Sequence, residues 1–157
     1  MPHGHPSPRL ATLADAHEVA RLLHDFNTEY AVASPGVEVL AGRLEELLPG
    51  DATLAILAGT PALAVALVTI RRNVWYPGPV ALLDELYVVP DRRGEGIGSA
   101  VIAQMLKICR DRGVDLVEIN VDEGDVDAQR FYERHGFAAT EADGDERALY
   151  FHQELDP

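Results

Sequence analysis

The chain has 157 residues, 47% hydrophobic and 25% charged, enough for one domain with a real core, and no apolar run long enough to span a bilayer. Its formal net charge of −13 repels phosphodiester polymers, which sets nucleic-acid binding aside; it would attract a cationic small partner, and it serves plain solubility as well. The single cysteine, Cys109, excludes an internal disulfide and suits a reducing cytoplasm.

The opening MPHGHPSPR lacks the apolar stretch of a signal peptide, so residues 1–7 are expected to be a flexible lead-in. Pro8 to Leu13 reads as a short strand. Asp15, with Glu18 three residues on, reads as a capping box that starts a helix. Val19, Leu22, Leu23 and Phe26 recur at helical spacing and face inward. After the turn Ser34-Pro35-Gly36, a second helix is predicted over 37–48, with Val37, Leu40, Leu44, Leu47 and Leu48 inward. Pro49-Gly50 stops it.

Strands follow at 53–58, 62–70 and 80–89, the first two joined by the hairpin turn Gly59-Thr60-Pro61. A helix is predicted from Ile97, with Val101, Met105 and Ile108 on its inner side and Gly113 at its end. A strand over 116–121 should lie parallel to the one before that helix, as strand–helix–strand units do. A last helix is expected over 125–135, then strands at 137–140 and 147–153 around the turn Ala142-Asp143-Gly144-Asp145. The whole is an α+β domain, residues 1–157, around one mixed, mostly antiparallel sheet of about seven strands with four helices. His3 and His5 resemble a metal tract only superficially. The other four histidines share no ligand spacing, so no metal is expected.

The richest stretch is Asp84 to Ser99, DELYVVPDRRGEGIGS. A strand ends at Pro90, two arginines follow, and Gly94, Gly96 and Gly98 lead into the helix. Glycines at a helix start expose backbone N–H groups at the positive end of the helix dipole, a ready phosphate site. A Walker A loop needs a lysine after the glycines, and none is there. A dinucleotide fingerprint fits Gly94 and Gly96 but meets Ser99 at its third place, though Glu118 lies at the distance of a ribose acid.

Arg93-Gly94-Glu95-Gly96-Ile97-Gly98 resembles the acyl-coenzyme A loop Arg/Gln-x-x-Gly-x-Gly/Ala of the GNAT superfamily of N-acetyltransferases. A second run, Asp125 to Phe137, is similar to that family's Asn-x-x-Ala-x-x-x-Tyr-Glu-x-x-Gly-Phe, matching at Ala128, Tyr132, Glu133, Gly136 and Phe137. Asp125 replaces the usual Asn; it can still cap the helix, but a contact to the pantetheine arm is in doubt. The order of elements also matches the GNAT fold, with α/β/α layers and a sheet splayed between its fourth and fifth strands.

The resemblance implies acetyl transfer from acetyl-coenzyme A, as co-substrate and without a metal, to the amine of a small, cationic acceptor. It places the pantetheine arm on Leu86, Tyr87 and Val88 and the pyrophosphate on Arg93, Gly94, Glu95, Gly96, Ile97, Gly98 and Ser99, with Asp125 nearby. A backbone N–H near Val88 would polarise the acetyl carbonyl. Tyr132 stands where the family keeps its general acid. Asp84 and Glu85 are adjacent carboxylates in an apolar strand, and strand alternation sends them to opposite faces. The run Leu83-Asp84-Glu85-Leu86-Tyr87-Val88 is similar to the Leu-Glu-Asp-aromatic-aromatic-Val run of polyamine N-acetyltransferases, which would make Asp84 the base and Glu85 the substrate carboxylate. Other GNAT relatives keep an acid only at the second place, which would make Glu85 the base instead. The acceptor would be walled by Phe26, Glu29, Tyr30, Trp75, Tyr76 and Tyr150. A non-catalytic acyl-coenzyme A sensor and a peptide or protein N-acetyltransferase are the alternatives, and a homodimer is implied by resemblance alone.

Overall fold

The computed structural model describes residues 6–140 and 149–155. These fall into two compact units, one running to Ile119 and the other starting at Asn120.

The first unit is built on a five-stranded sheet in sequence order: β1 (Pro8–Leu10), β2 (Thr53–Ala58), β3 (Ala64–Arg71), β4 (Val80–Val88) and β5 (Leu116–Ile119). The first four strands are antiparallel neighbours, and β5 runs parallel to β4. Helices α1 (Ala16–Glu29) and α2 (Val37–Leu47) cover one face. There Val19, Leu22 and Leu44 pack with Leu57, Val65 and Tyr87. Alternation sends Ile56, Ala64, Ala66 and Val68 to the other face. All four are fully buried, and helix α3 (Ile97–Asp111) lies against the sheet with Ile97, Val101, Ile102 and Met105 equally buried.

The start of α1 differs from the capping box expected at Asp15 and Glu18. The box sits one turn earlier: the Thr12 N–H donates to the Asp15 carboxylate at 2.8 Å, and Arg9 grips the same carboxylate with two bonds of 2.7 and 2.8 Å. Glu18 is drawn to the β2–β3 hairpin, where it accepts from the Ala62 N–H at 2.6 Å while Arg21 donates to the Ala62 carbonyl. A carboxylate meets a nearby orphan amide in preference to its own helix end. In α2, Leu47 is 49% exposed, not inward, and Ala41 takes its place in the core beside Leu44.

The β3–β4 loop is clamped to the turn that ends α3. The Gly78 N–H donates to Asp115, and the Asp115 N–H to the Pro79 carbonyl. A Cβ on Gly78 would stand 2.3 Å from the Gly113 carbonyl oxygen, so only glycine fits there.

The second unit holds α4 (Val126–Arg134). Asp125 caps it by accepting from the Ala128 N–H at 3.0 Å, and Gln129 ties it to the carbonyls of Asp122 and Glu123. It closes on Gly136, whose φ of +90° is one that glycine adopts freely. The seven strands expected become five among the described residues. Residues 137–140 form no strand beyond a lone bridge position at Thr140, and residues 149–155 are irregular. A strand exists only through its partner, and the turn 142–145 and Arg147 lie outside the described residues.

Candidate active site

The chemistry-bearing residues of the first unit gather on the second half of β4. The ladder with β5 pairs Val80–Leu83 with Leu116–Ile119 and stops there, while β4 runs on to Val88. On the other side β4 stays bonded to β3, and just past its end the Val89 N–H donates to the Leu63 carbonyl at 2.9 Å. Backbone groups of alternate residues turn to opposite edges. Tyr87 and Glu85 therefore serve the β3 side, and Leu86 and Val88 turn their N–H and C=O groups to the edge that β5 has left. Among the described residues, no strand pairs with β4 on this edge beyond Leu83.

Between these halves the register slips. Leu67 pairs with Glu85 and Val68 with Leu83, so Asp84 is the extra residue of a β-bulge. The Thr69 hydroxyl donates to Asp84. Thr69 and Leu67 share the α1/α2 face, as does Glu85 opposite Leu67. The two carboxylates thus stand on one face, not on opposite faces as plain alternation demands. Glu85 is half-buried, and that burial, reinforced by the negative charge of Asp84, raises its pKa above the ordinary carboxylate range. Asp84 is exposed.

Beyond Val88 a single 3-10 turn, Pro90–Arg92, leads to the glycine loop. Gly94 and Gly96 both take positive φ, +77° and +84°, and Gly96 begins α3 in the left-handed conformation with no side-chain cap. The first helical bond runs from the Ala100 N–H to the Gly96 carbonyl. The helix-start amides, those of Ile97 and Gly98 among them, therefore point out along the axis. The loop arginines do not present bare charge. Arg92 is paired with Glu95 at 2.8 Å, and Arg93 with Glu29 at 2.9 Å. An anion here is met by main-chain donors first.

Arg93 also donates through Nε to the Val88 carbonyl at 3.0 Å, and its guanidinium lies 5.6 Å from the centre of the Tyr87 ring. The Tyr87 hydroxyl donates to Glu29 at 3.2 Å, and its ring stacks on Phe26 at 5.0 Å. Arg93 holds the Glu29 carboxyl below its usual pKa; burial and the bond to Glu29 raise the phenol of Tyr87. Phe26 meets Tyr30 at 5.4 Å. The structure thus brings Phe26, Glu29, Tyr30, Tyr87 and Arg93 together. Trp75, 84% exposed, and Tyr76 stand apart on the β3–β4 loop, where the Asn73 side chain accepts from both of their N–H groups.

In the second unit, Tyr132 lies on α4 with edge contacts to Phe131 at 5.3 Å and Phe137 at 5.8 Å. Tyr150 is exposed and stacks on His152. Asp125 keeps the helix-capping half of its expected role. Thr69, which carries no motif, escaped the sequence; Arg93 was expected at the anion loop, but its side chain is engaged by Glu29 and the Val88 carbonyl.

The profile of the Acetyltransferase (GNAT) family matches residues 19–137, most of the chain. The chain belongs to the GNAT family of acetyltransferases. This GNAT chain is 30% identical to an aminoglycoside N(6')-acetyltransferase type 1 of Stenotrophomonas maltophilia, over 97% of its own length and 95% of that protein. A crystal structure from Arthrobacter sp. FB24, assigned as an acetyltransferase, superposes with a TM-score of 0.89 at 54% identity, covering 94% of this chain and 95% of that one. Over 68 residues it is 37% identical to a mycothiol acetyltransferase of Beutenbergia cavernae; that match takes in 41% of this chain and only 23% of the relative, about a quarter of its length.

GNAT enzymes draw the acetyl group from acetyl-coenzyme A. The open β4 edge and the left-handed glycines ahead of α3 fit an extended, diphosphate-bearing thioester. Among the described residues, no cluster of three or more His, Cys, Asp or Glu side chains could hold a metal, and no helix is long and apolar enough to cross a membrane.

Proposed function

We propose that this GNAT acetyltransferase moves an acetyl group from acetyl-coenzyme A to a primary amine of a small, cationic acceptor by direct attack, with Glu85 as the base. The observation that carries the reading is the bulge at Asp84. It sets two carboxylates on one face beside the open edge of β4 and leaves the more buried of them with a raised proton affinity. An ammonium must lose its proton before its nitrogen can act, and a carboxylate shifted upward is better matched to that task near neutral pH. Burial is the main cause of that shift; Asp84, steadied by Thr69, adds negative charge that reinforces it and attracts the ammonium.

Leu86, Tyr87 and Val88 would carry the pantetheine arm, and residues 93–99 the diphosphate. The acceptor nitrogen bonds to the thioester carbonyl carbon as the carbon–sulfur bond breaks. The Val88 N–H would stabilise negative charge on the carbonyl oxygen. Tyr132 is assigned, by the family motif around it, to protonate the departing thiolate. By the family resemblance alone, the acceptor side falls to Phe26, Tyr30, Trp75, Tyr76 and Tyr150, whose rings suit an amine with an apolar body. The aminoglycoside relative and the net charge of −13 both favour a polycationic amine. We assign residues 1–157 to one catalytic module working in the cytoplasm, and as a homodimer if the family resemblance extends to assembly.

The test is a steady-state thiol-release assay with acetyl-coenzyme A over a panel of aminoglycosides, polyamines, amino acids and peptides. Turnover is expected with a polycationic amine. A chain that binds coenzyme A while no amine accelerates thiol release would be a sensor, and turnover confined to peptides would move the acceptor to that class.

A further inference from the structure

Glu29 sits in the last turn of α1, and its position suggested a contact to the acceptor. Its carboxylate is otherwise engaged. The same oxygen accepts from the Arg93 guanidinium at 2.9 Å and from the Tyr87 hydroxyl at 3.2 Å. Arg93 is in turn held at three points: on Glu29, on the Val88 carbonyl through Nε, and over the Tyr87 ring. Tyr87 is buried and stacked on Phe26, so the far end of this chain of contacts is fixed in the core.

Arg93 is the residue that opens the glycine loop. Its own backbone is extended, and left-handed Gly94 follows directly. With no side chains of their own, the glycines cannot hold the loop in place, and the flexibility that lets them turn their amides outward also lets those amides wander. The Arg93 side chain bonds back to the last residue of β4 and across to α1, so it fixes where the loop leaves the strand. A planar, multiply bonded guanidinium suits this task.

We propose that Glu29 is a positioning residue for the acetyl donor: by holding Arg93 against the Val88 carbonyl, it sets the amides of the glycine loop relative to the open edge of β4. Its role is donor affinity, not acceptor contact. This rests on the donor reading above, and it assigns to Glu29 and Arg93 a function exercised through the loop backbone.

The test is isothermal titration with coenzyme A, which needs no knowledge of the acceptor. Glu29→Gln keeps the size of the side chain and removes its charge, and should weaken coenzyme A binding about tenfold, the factor expected for one charged hydrogen bond. Arg93→Gln should do the same, and the double variant should be no worse than the poorer single one, because both act through one contact. Glu29→Asp should restore most of the affinity, which a role in folding alone would not predict. Tyr87→Phe, which removes only the hydroxyl bonded to Glu29, should weaken binding by a smaller factor and still fold. Equal affinity in Glu29→Gln and the unaltered chain, or additive losses in the double variant, would overturn this inference and leave the donor reading standing. An unaltered chain that binds no coenzyme A would overturn both.

Discussion

One strand contains two regimes. From Val80 to Leu83, β4 is bonded on both edges, and Val80, Ala81 and Leu83 are buried. From Asp84 to Val88 it has a strand partner on one edge only, carries a bulge and two carboxylates, and is only partly covered. The first half contributes packing. The second exposes backbone groups and keeps a charge in a half-dry place, which costs stability and creates reactivity. A fully paired strand has nothing left to offer a substrate, so the proposed site begins where the ladder with β5 ends.

If this division holds, substitutions on either side of Asp84 should fail in different ways. The largest effect is expected at Glu85. Glu85→Gln should lower kcat roughly 10²- to 10⁴-fold, the range for a lost general base, measured by thiol release at saturating substrates. The same change should raise the thermal midpoint at neutral pH. The sign follows from linkage: a carboxyl whose folded pKa is raised binds its proton more tightly in the folded chain, so the unaltered protein loses stability as pH rises from the ordinary glutamate value through the raised one. Glu85→Gln should lack that part of the slope. In the unaltered enzyme, kcat/KM should rise with pH along a limb lying above the ordinary carboxylate range. A limb at the ordinary value would move the base elsewhere.

Next comes Tyr132→Phe, expected to cut turnover roughly 10- to 1000-fold with coenzyme A affinity nearly intact. Unaltered turnover would give the proton to water or another group. Leu83→Ala, on the paired side, should cost about 2–5 kcal/mol of stability in chemical denaturation, with turnover per folded molecule close to the original. A selective loss of activity there would erase the distinction between the halves. The smallest effect is expected from Thr69→Val, which removes the hydroxyl bonded to Asp84. A loss of roughly 0.5–1.5 kcal/mol in kcat/KM, a few-fold, is the size for one such bond. A loss as large as that of Glu85→Gln would make the bulge geometry decisive.

Much of this was legible in the residues. The glycine loop, α3 and the end of α4 announce themselves locally, through turn glycines and helical spacing that need no partner to be read. The parallel direction of β5 relative to β4 followed from the crossover rule. The bulge could not be read, because a one-residue slip shows only when β3 is laid beside β4, and the expected opposite faces of Asp84 and Glu85 failed with it. The contacts of Glu29 were hidden in another way: its partners Tyr87 and Arg93 are 58 and 64 residues away. The last two strands were placed around the turn 142–145, and a turn signal says that its flanks can pair, not that they do; that turn lies outside the described residues.

Arg92 and Arg93 each already have a carboxylate neighbour. A cradle without surplus positive charge selects by the layout of its main-chain donors, not by how many negative charges a visitor brings. If the loop holds the coenzyme A diphosphate as proposed, inorganic phosphate should therefore compete poorly for it, and the affinity for coenzyme A should weaken only slightly as ionic strength climbs.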